Sequence, residues 1–303
     1  MKSGLNLDAL IILDAIARRA SFAAAAEELH RVPSSITYSI HKLENDLGVT
    51  LFDRRGHRAQ LTEAGKMLLN EGRHLLAMAN NVQRNVQQIA TGWETELRIA
   101  VDTLIPYAKV LDLCEAFYQY APDTRLQLTT EVLGGAWDAL ISGRADLVIG
   151  ASGDAPSGGG YTRKVLGEIE FVFAIAPQHP LAQETEPLAN TLIRQYRAVA
   201  AADSSRQLPP KTVGLLSGQA VLTVPDLNIK CLAQKQGLGV GYLPRHMITK
   251  DLQAGNLIVK ATEDGESIRH TLYYVWRTRH QGKALAWFKE QLCSKDKKID
   301  WFT

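Results

Sequence analysis

Apolar positions in the first sixty residues recur at helical rather than strand spacing. Leu7, Leu10 and Ile11 open a helix that runs to about Arg18. Ser21 reads as the N-cap of a second helix, Ala23 to Leu29, because its hydroxyl can accept from a free N–H of the first turn. A third helix is expected from Ser34 to Leu47. Its buried face is Ile36, Ile40, Leu43 and Leu47, and Gly48 stops it. Leu51-Phe52 and Gln60-Leu61 then bracket a charged segment, a pattern that predicts a small β-hairpin with Gly56 at its tip. A long helix follows, with Thr62 as N-cap. Leu61, Leu68, Leu75, Val82 and Ile89 fall seven apart, and Gly65, Gly72, Ala79 and Val86 complete a narrow seam of coiled-coil period. About 28 residues of helix span roughly 42 Å. Glycines on that seam suggest close approach of a partner backbone.

From Glu96 the pattern changes. Strand-like runs at Leu97–Val101, Leu126–Glu131, Leu147–Gly150, Phe171–Ala176, Ala198–Ala201, Val221–Val224, Val240–Leu243, Leu257–Val259 and Leu272–Trp276 alternate with helical ones such as Tyr107–Tyr120 and Ala136–Ser142. Such alternation predicts an α/β region with largely parallel sheets. Ser152–Gly160 reads as a loop. Three regions result. Residues 1–61 form an all-α region that ends in the small hairpin, or wing, 62–91 a linker and dimerisation helix, and 92–303 an α/β domain of two subdomains. Subdomain I takes about 92–162 and 268–303, and subdomain II about 163–267.

Composition narrows the function classes. The chain has 303 residues, 46% hydrophobic and 22% charged, the balance of a soluble globular protein. No run approaches the ~20 apolar residues of a membrane span, and no signal peptide opens the chain. A cytoplasmic protein is expected. Three cysteines at long spacings, Cys114, Cys231 and Cys293, imply neither a disulfide framework nor a zinc site. Lone histidines such as His246 and His270 have no metal-ligand spacing, and no catalytic elbow, phosphate loop or Cys-x-x-Cys motif occurs. No cofactor, metal or enzymatic activity is expected. Residues 1–65 hold eight Lys/Arg and eight Asp/Glu, so any nucleic-acid binding depends on where charges sit.

The ordered set Ser21-Phe22-Ala23-Ala24-Ala25-Ala26, Leu29, Lys42-Leu43-Glu44, Leu47-Gly48, Leu51-Phe52, Arg54-Arg55 and Leu61-Thr62-Glu63-Ala64-Gly65 resembles the winged helix-turn-helix of LysR-type transcriptional regulators. Gly143-Arg144-Ala145-Asp146-Leu147, His179-Pro180-Leu181-Ala182 and Gly237-Leu238-Gly239-Val240-Gly241-Tyr242-Leu243-Pro244 resemble the family's effector-binding domain, which has the fold of periplasmic binding proteins. The resemblance covers the whole chain. It implies a DNA-binding regulator, dimeric or tetrameric on a double-stranded operator. A small effector between the subdomains would control it, RNA polymerase would be contacted if it activates, and the protein would lie at the bacterial nucleoid. A solute-binding receptor without direct DNA regulation is the alternative.

A recognition helix needs small or polar side chains at its start to approach base edges in the major groove. That selects Pro33, Ser34, Ser35, Thr37, Tyr38 and His41, with Ser21 and Arg31 just before them. Arg54, Arg55, His57 and Arg58 on the wing would reach phosphates or a minor groove. Many family members carry Gln where this chain has Pro33 and Arg where it has Tyr38, so base preference does not transfer. In the α/β region a ligand is expected in the crevice at the carboxyl ends of the strands. The candidates are Asp102, Thr103, Leu104, Leu133, Gly134, Trp137, Gly150, Ser204, Ser205, Arg206 and Asp226. Hydroxyls and a guanidinium in Asp203-Ser204-Ser205-Arg206 suggest a carboxylate or polar heterocycle as effector, and Trp137 a stacking surface.

Overall fold

The computed structural model describes residues 5–53, 59–153, 155–293 and 301–302. Between 81 and 91 it describes the side chains of Val82, Gln83 and Val86 alone. The chain divides into two compact units, Met1–Val86 and Gln87–Thr303.

The first unit starts with α1 (Leu7–Arg19), α2 (Phe22–Glu28) and α3 (Pro33–Leu47). Local chemistry fixes their ends. Asn6 caps α1 by accepting from Ala9 N at 2.8 Å. Ser21 caps α2, as the sequence predicts, accepting from Ala24 N at 3.4 Å. Pro33 stands at the first position of α3, where its missing N–H costs nothing. Gly48 ends α3 in the left-handed region, φ 67°. Ile36, Ile40 and Leu43 are buried against Ile12, Leu13 and Ile16 of α1. Leu47, expected on the same face, is 40% exposed, because it is the last residue of α3 and is not part of the cluster the other three enter. The hairpin forms from β1 (Phe52–Asp53) and β2 (Gln60–Leu61), which are antiparallel.

Next comes α4 (Glu63–Thr91), 29 residues long. Thr62 caps it, accepting from Gly65 N at 3.1 Å. The expected role of its glycines is corrected. Gly65 lies against the Leu51 carbonyl oxygen and Gly72 against the Leu10 side chain, so both make room for this chain's own elements rather than for a partner backbone. Further along the seam, Leu75, Val82 and Val86 are exposed.

The second unit contains β3 (Glu96–Asp102), α5 (Tyr107–Tyr120), β4 (Arg125–Glu131), α6 (Gly135–Ile141), β5 (Leu147–Ser152) and β6 (Tyr161–Ile175). After them come α7 (Asn190–Ile193), β7 (Ala198–Ala201), β8 (Val221–Val224), α8 (Leu227–Lys235), β9 (Gly241–Pro244), α9 (Arg245–Gln253), β10 (Ile258–Val259), β11 (Ile268–Arg277) and α10 (Lys283–Cys293). The main sheet runs β10-β6-β11-β5-β3-β4, with β9 also on β6, and β7 and β8 make a separate parallel pair. The expected largely parallel sheet is therefore corrected to a mixed one. β3 is parallel to β4 and β5, whereas β6 is antiparallel to β11, β9 and β10.

The cause is the length of β6, which starts at Tyr161 and not at Phe171. Ten of its first eleven residues pair with β11, so these two strands form a ribbon that runs through both lobes of the unit. In one lobe Leu97, Ile99 and Val101 pack with Phe117, Leu285 and Phe288. In the other, Val172 and Ala174 pack with Leu243, Ile248 and Leu257.

Candidate DNA interface and effector crevice

The first site is the exposed start of α3. His30, in the left-handed region at φ 52°, lets the chain turn sharply between α2 and α3. Ser34, Tyr38 and His41 are exposed, Tyr38 at 69%. Ser35 and Thr37 are half-buried, and the Thr37 hydroxyl donates to the Pro33 carbonyl at 3.0 Å. Arg31 holds the Asp8 carboxylate through two hydrogen bonds of 2.7 and 2.8 Å. Arg18 and Arg19 close on Glu28, and Arg73 on Asp14. The neutral charge sum of this region thus has a geometric counterpart, since each of these arginines already meets a carboxylate. Exposed pairs of this kind are worth about 0–1 kcal/mol, so a phosphate can displace Asp8 from Arg31 at little cost. The wing candidates Arg54, Arg55, His57 and Arg58 lie outside the described residues.

Sequence reading passed over Glu44 as a structural acid. It is buried on α3 and accepts from Leu51 N at 2.8 Å and Phe52 N at 3.3 Å, which ties the first wing strand to the helix. Phe22 meets Phe52 edge-on at 5.2 Å and fixes the same strand against α2.

The second site lies where β3, β4 and the residues after β7 meet. Asp102 and Glu131 are register partners at the ends of β3 and β4. Asp102 is 1% exposed; its Oδ1 accepts from Leu104 N at 2.9 Å and its Oδ2 has no partner. Burial, with Glu131 and Asp203 nearby, pushes its carboxyl up to about 8. The Thr103 hydroxyl beside it is also unpartnered. Gly150, at φ 98°, lies so close that a β-carbon there would come 3.0 Å from Asp102 Cβ.

The loop after β7 crosses to the other lobe. Ser204 Oγ donates to Glu131 Oε2 at 2.5 Å and accepts from Val132 N at 2.9 Å. Asp203 accepts from Gly134 N at 3.1 Å and from Ser205 N and Lys211 N at 2.7 Å each. Gly134 and Gly135 permit this approach, because a β-carbon on either would collide with Asp203 or with the serines. Ser205 Oγ is buried without a partner, whereas Arg206 is exposed.

Other expected positions fall elsewhere. Trp137 is corrected from a stacking surface to core: it is 1% exposed, donates to the Ser152 carbonyl at 3.0 Å, and meets Tyr161 edge-on. Asp226 caps α8 by accepting from Ile229 N at 2.9 Å. Leu104 is buried, and Leu133 is half-buried at φ 54°.

Sequence reading missed the centre of the polar network. Arg144 bonds Glu131 at 2.5 Å and Asp138 at 3.0 Å. Asp138, fully buried on α6, also accepts from Gln207 N and Leu208 N at 2.8 Å each. An acid inside the apolar run Ala136-Trp137-Asp138-Ala139-Leu140 was the available signal, since buried carboxylates need partners. Among the described residues no group of His, Cys, Asp and Glu is placed to hold a metal ion, and no helix is long and apolar enough to cross a membrane.

A helix-turn-helix with a hairpin wing, joined through a long helix to a two-lobed α/β unit whose strand ends and Asp203–Ser205 loop enclose a polar cluster, defines the class of ligand-binding regulators of transcription. Residues 7–66 match the bacterial regulatory helix-turn-helix protein model of the lysR family, and residues 90–295 match the LysR substrate binding domain. The chain is 41% identical over 286 residues to YeeY of Escherichia coli K12, described as an uncharacterised HTH-type transcriptional regulator, covering 94% of this chain and 92% of that one. It is 42% identical over 283 residues to the probable HTH-type transcriptional regulator YhaJ of the same strain, covering 93% and 94%. Among solved structures it resembles CbnR, a LysR family transcriptional regulator, with a TM-score of 0.61, 19% identity and coverage of 95% and 98%. The chain belongs to the LysR family of DNA-binding transcriptional regulators with a substrate-binding effector domain. That membership decides against the receptor alternative.

Proposed function

We propose that this regulator reads its operator with the start of α3 and the wing, and that a small molecule held in the crevice between the lobes of the second unit controls it. The protein acts without catalysing a reaction, in the cytoplasm and at the nucleoid, as a dimer or tetramer, and contacts RNA polymerase where it activates. The exposed stripe Leu75, Val82 and Val86 on α4 supports self-association. DNA contact would come from Ser21, Arg31, Pro33, Ser34, Ser35, Thr37, Tyr38 and His41, and from Arg54, Arg55, His57 and Arg58. The effector would meet Asp102, Thr103, Leu104, Leu133, Gly134, Gly150, Ser204, Ser205 and Arg206. Effector binding would change the angle of the lobes around the β6–β11 ribbon and so the spacing of the reading heads.

The observation that carries this reading is the crevice. Ends of β3 and β4 from one lobe meet the Asp203–Ser205 loop, and buried polar atoms there have no partner. A mobility-shift titration with the chain's own upstream DNA tests the DNA half. Affinity should fall steeply with salt, and Tyr38→Ala should weaken it roughly tenfold. Tyr38 is exposed, so the melting temperature should not move. Unchanged affinity in Tyr38→Ala would remove α3 as the reader.

A further inference from the structure

We propose that the crevice binds a cationic nitrogen group, such as an amine, amidine or guanidine, and not the carboxylate that the sequence suggests. The inference rests on the crevice being the effector site. Four carboxylates converge there: Asp102, Glu131, Asp138 and Asp203. Arg144 is the cation set among them, and its charge is already divided between Glu131 and Asp138. Its Nε keeps one unpartnered N–H. The nearby His246 meets the Leu104 carbonyl at 3.1 Å, and burial lowers its affinity for a proton, so it supplies no charge at neutral pH. Arg206 and Lys211 are exposed and stand outside the buried cluster.

Hydrogen bonding identifies which acid is free. Each oxygen of the other three already has a donor, Glu131 from Arg144 and Ser204, Asp138 from Arg144 and two backbone N–H groups, and Asp203 from three backbone N–H groups. Asp102 alone of the four keeps an oxygen without a donor, in a residue 1% exposed. An independent observation points the same way. The hydroxyl oxygens of Thr103 and Ser205 are buried and unpartnered as well. Asp102 Oδ2 accepts once ionised and the two hydroxyls accept as well as donate, so a cationic nitrogen can meet all three, while the carboxylates of Glu131, Asp138 and Asp203 disfavour an anion. An anion would instead add a further negative charge beside Glu131, Asp138 and Asp203, where like charges repel. Without a counter-ion Asp102 holds a proton, its carboxyl standing at about 8. A bound cation replaces that proton, which leaves Asp102 Oδ2 for solvent while Asp102 becomes a carboxylate.

Benzamidine, benzamide and benzoate share one ring and carry charges of opposite sign or none, so they isolate the effect of charge. Calorimetric titration of the full-length protein at pH 7, in two buffers of different ionisation enthalpy, gives affinity and proton release together. Benzamidine should bind at least about tenfold more tightly than benzoate, the worth of one charge-assisted hydrogen bond, and release close to one proton. Asp102→Asn should abolish both the preference and the release. Thr103→Val should weaken benzamidine without lowering the melting temperature, since the Thr103 hydroxyl has no partner to lose. Preference for benzoate that the two variants alter overturns the charge assignment and leaves the crevice as effector site, whereas binding unchanged in both variants lies outside the crevice and overturns the inference. Binding of none of the three at about 10 mM, weaker than any specific site requires, overturns the crevice reading and this inference with it.

Discussion

Gly72 on α4 sits directly over Leu10 on α1: a β-carbon at Gly72 would lie 2.8 Å from Leu10 Cδ2. Gly65, two turns earlier, faces the carbonyl oxygen of Leu51, which accepts the Thr62 N–H at 3.0 Å. The two glycines therefore differ in what would have to yield. Leu10 presents the far end of a flexible side chain, whereas Leu51 presents backbone already committed to a hydrogen bond. Helix propensity alone favours alanine at either position by roughly 1 kcal/mol. Gly72→Ala should offset that gain and stay within about 1 kcal/mol of the parent, whereas Gly65→Ala should destabilise by more than about 2 kcal/mol through overpacking. Urea denaturation of the full chain, followed by circular dichroism, checks the order. Equal stability of the two variants would mean that α4 does not approach the winged region this closely.

How much of this could be read from the chain follows the same division between local and distant causes. Ser21, Pro33, Gly48 and Thr62 mark helix ends through bonds or backbone angles within a few residues, and the structure shows each in that role. The first half of β6 was not legible. Tyr161 to Glu170 carries charge on both faces and a glycine at 167, and it is a strand because β11, about a hundred residues later, pairs with it. Trp137 is similar. Its indole N–H finds a carbonyl on Ser152, which no local pattern announces. The strand ends were read as the lining of a crevice, but the charge gathered at them was not. Arg144 stood in a segment noted only for its resemblance to the effector-binding domain, and its partners Glu131 and Asp138 lie on two other elements.

Asp102 gives stability a definite pH dependence. Its folded value of about 8 lies above the ordinary carboxyl value of 3.8, so folding takes up a proton between those limits. The sign follows. The contribution of this group is complete below about pH 4 and is lost as pH rises through about 8. The slope cannot exceed about 1.4 kcal/mol per pH unit. Asp102→Asn removes this dependence, so the variant should match the parent near pH 4 and exceed it in stability increasingly toward pH 8. Chemical denaturation at four or five pH values decides it. A parallel pair of stability profiles would show that Asp102 is ionised in the folded protein at neutral pH.

Lys230 on α8 poses the opposite problem. It is 7% exposed, its Nζ would lie 3.4 Å from a β-carbon on Gly241, and burial alone lowers it to about 8. No carboxylate among the described residues pairs with it, and its neighbour Gln234 keeps a buried, unpartnered amide oxygen. A lysine lowered below its unfolded value of 10.5 is charged against the preference of its surroundings. The penalty is complete below about pH 8 and disappears as pH rises through about 10.5, so stability from this group increases across that window. Methionine keeps most of the side chain's length and carries no charge. Lys230→Met should therefore stabilise the chain at pH 7, by up to about 3 kcal/mol, and by progressively less between pH 8 and 10.5. Melting temperatures across that range test both the sign and the convergence. A loss of stability at pH 7 would mean that the ammonium group has a favourable role in holding α8 against Gly241.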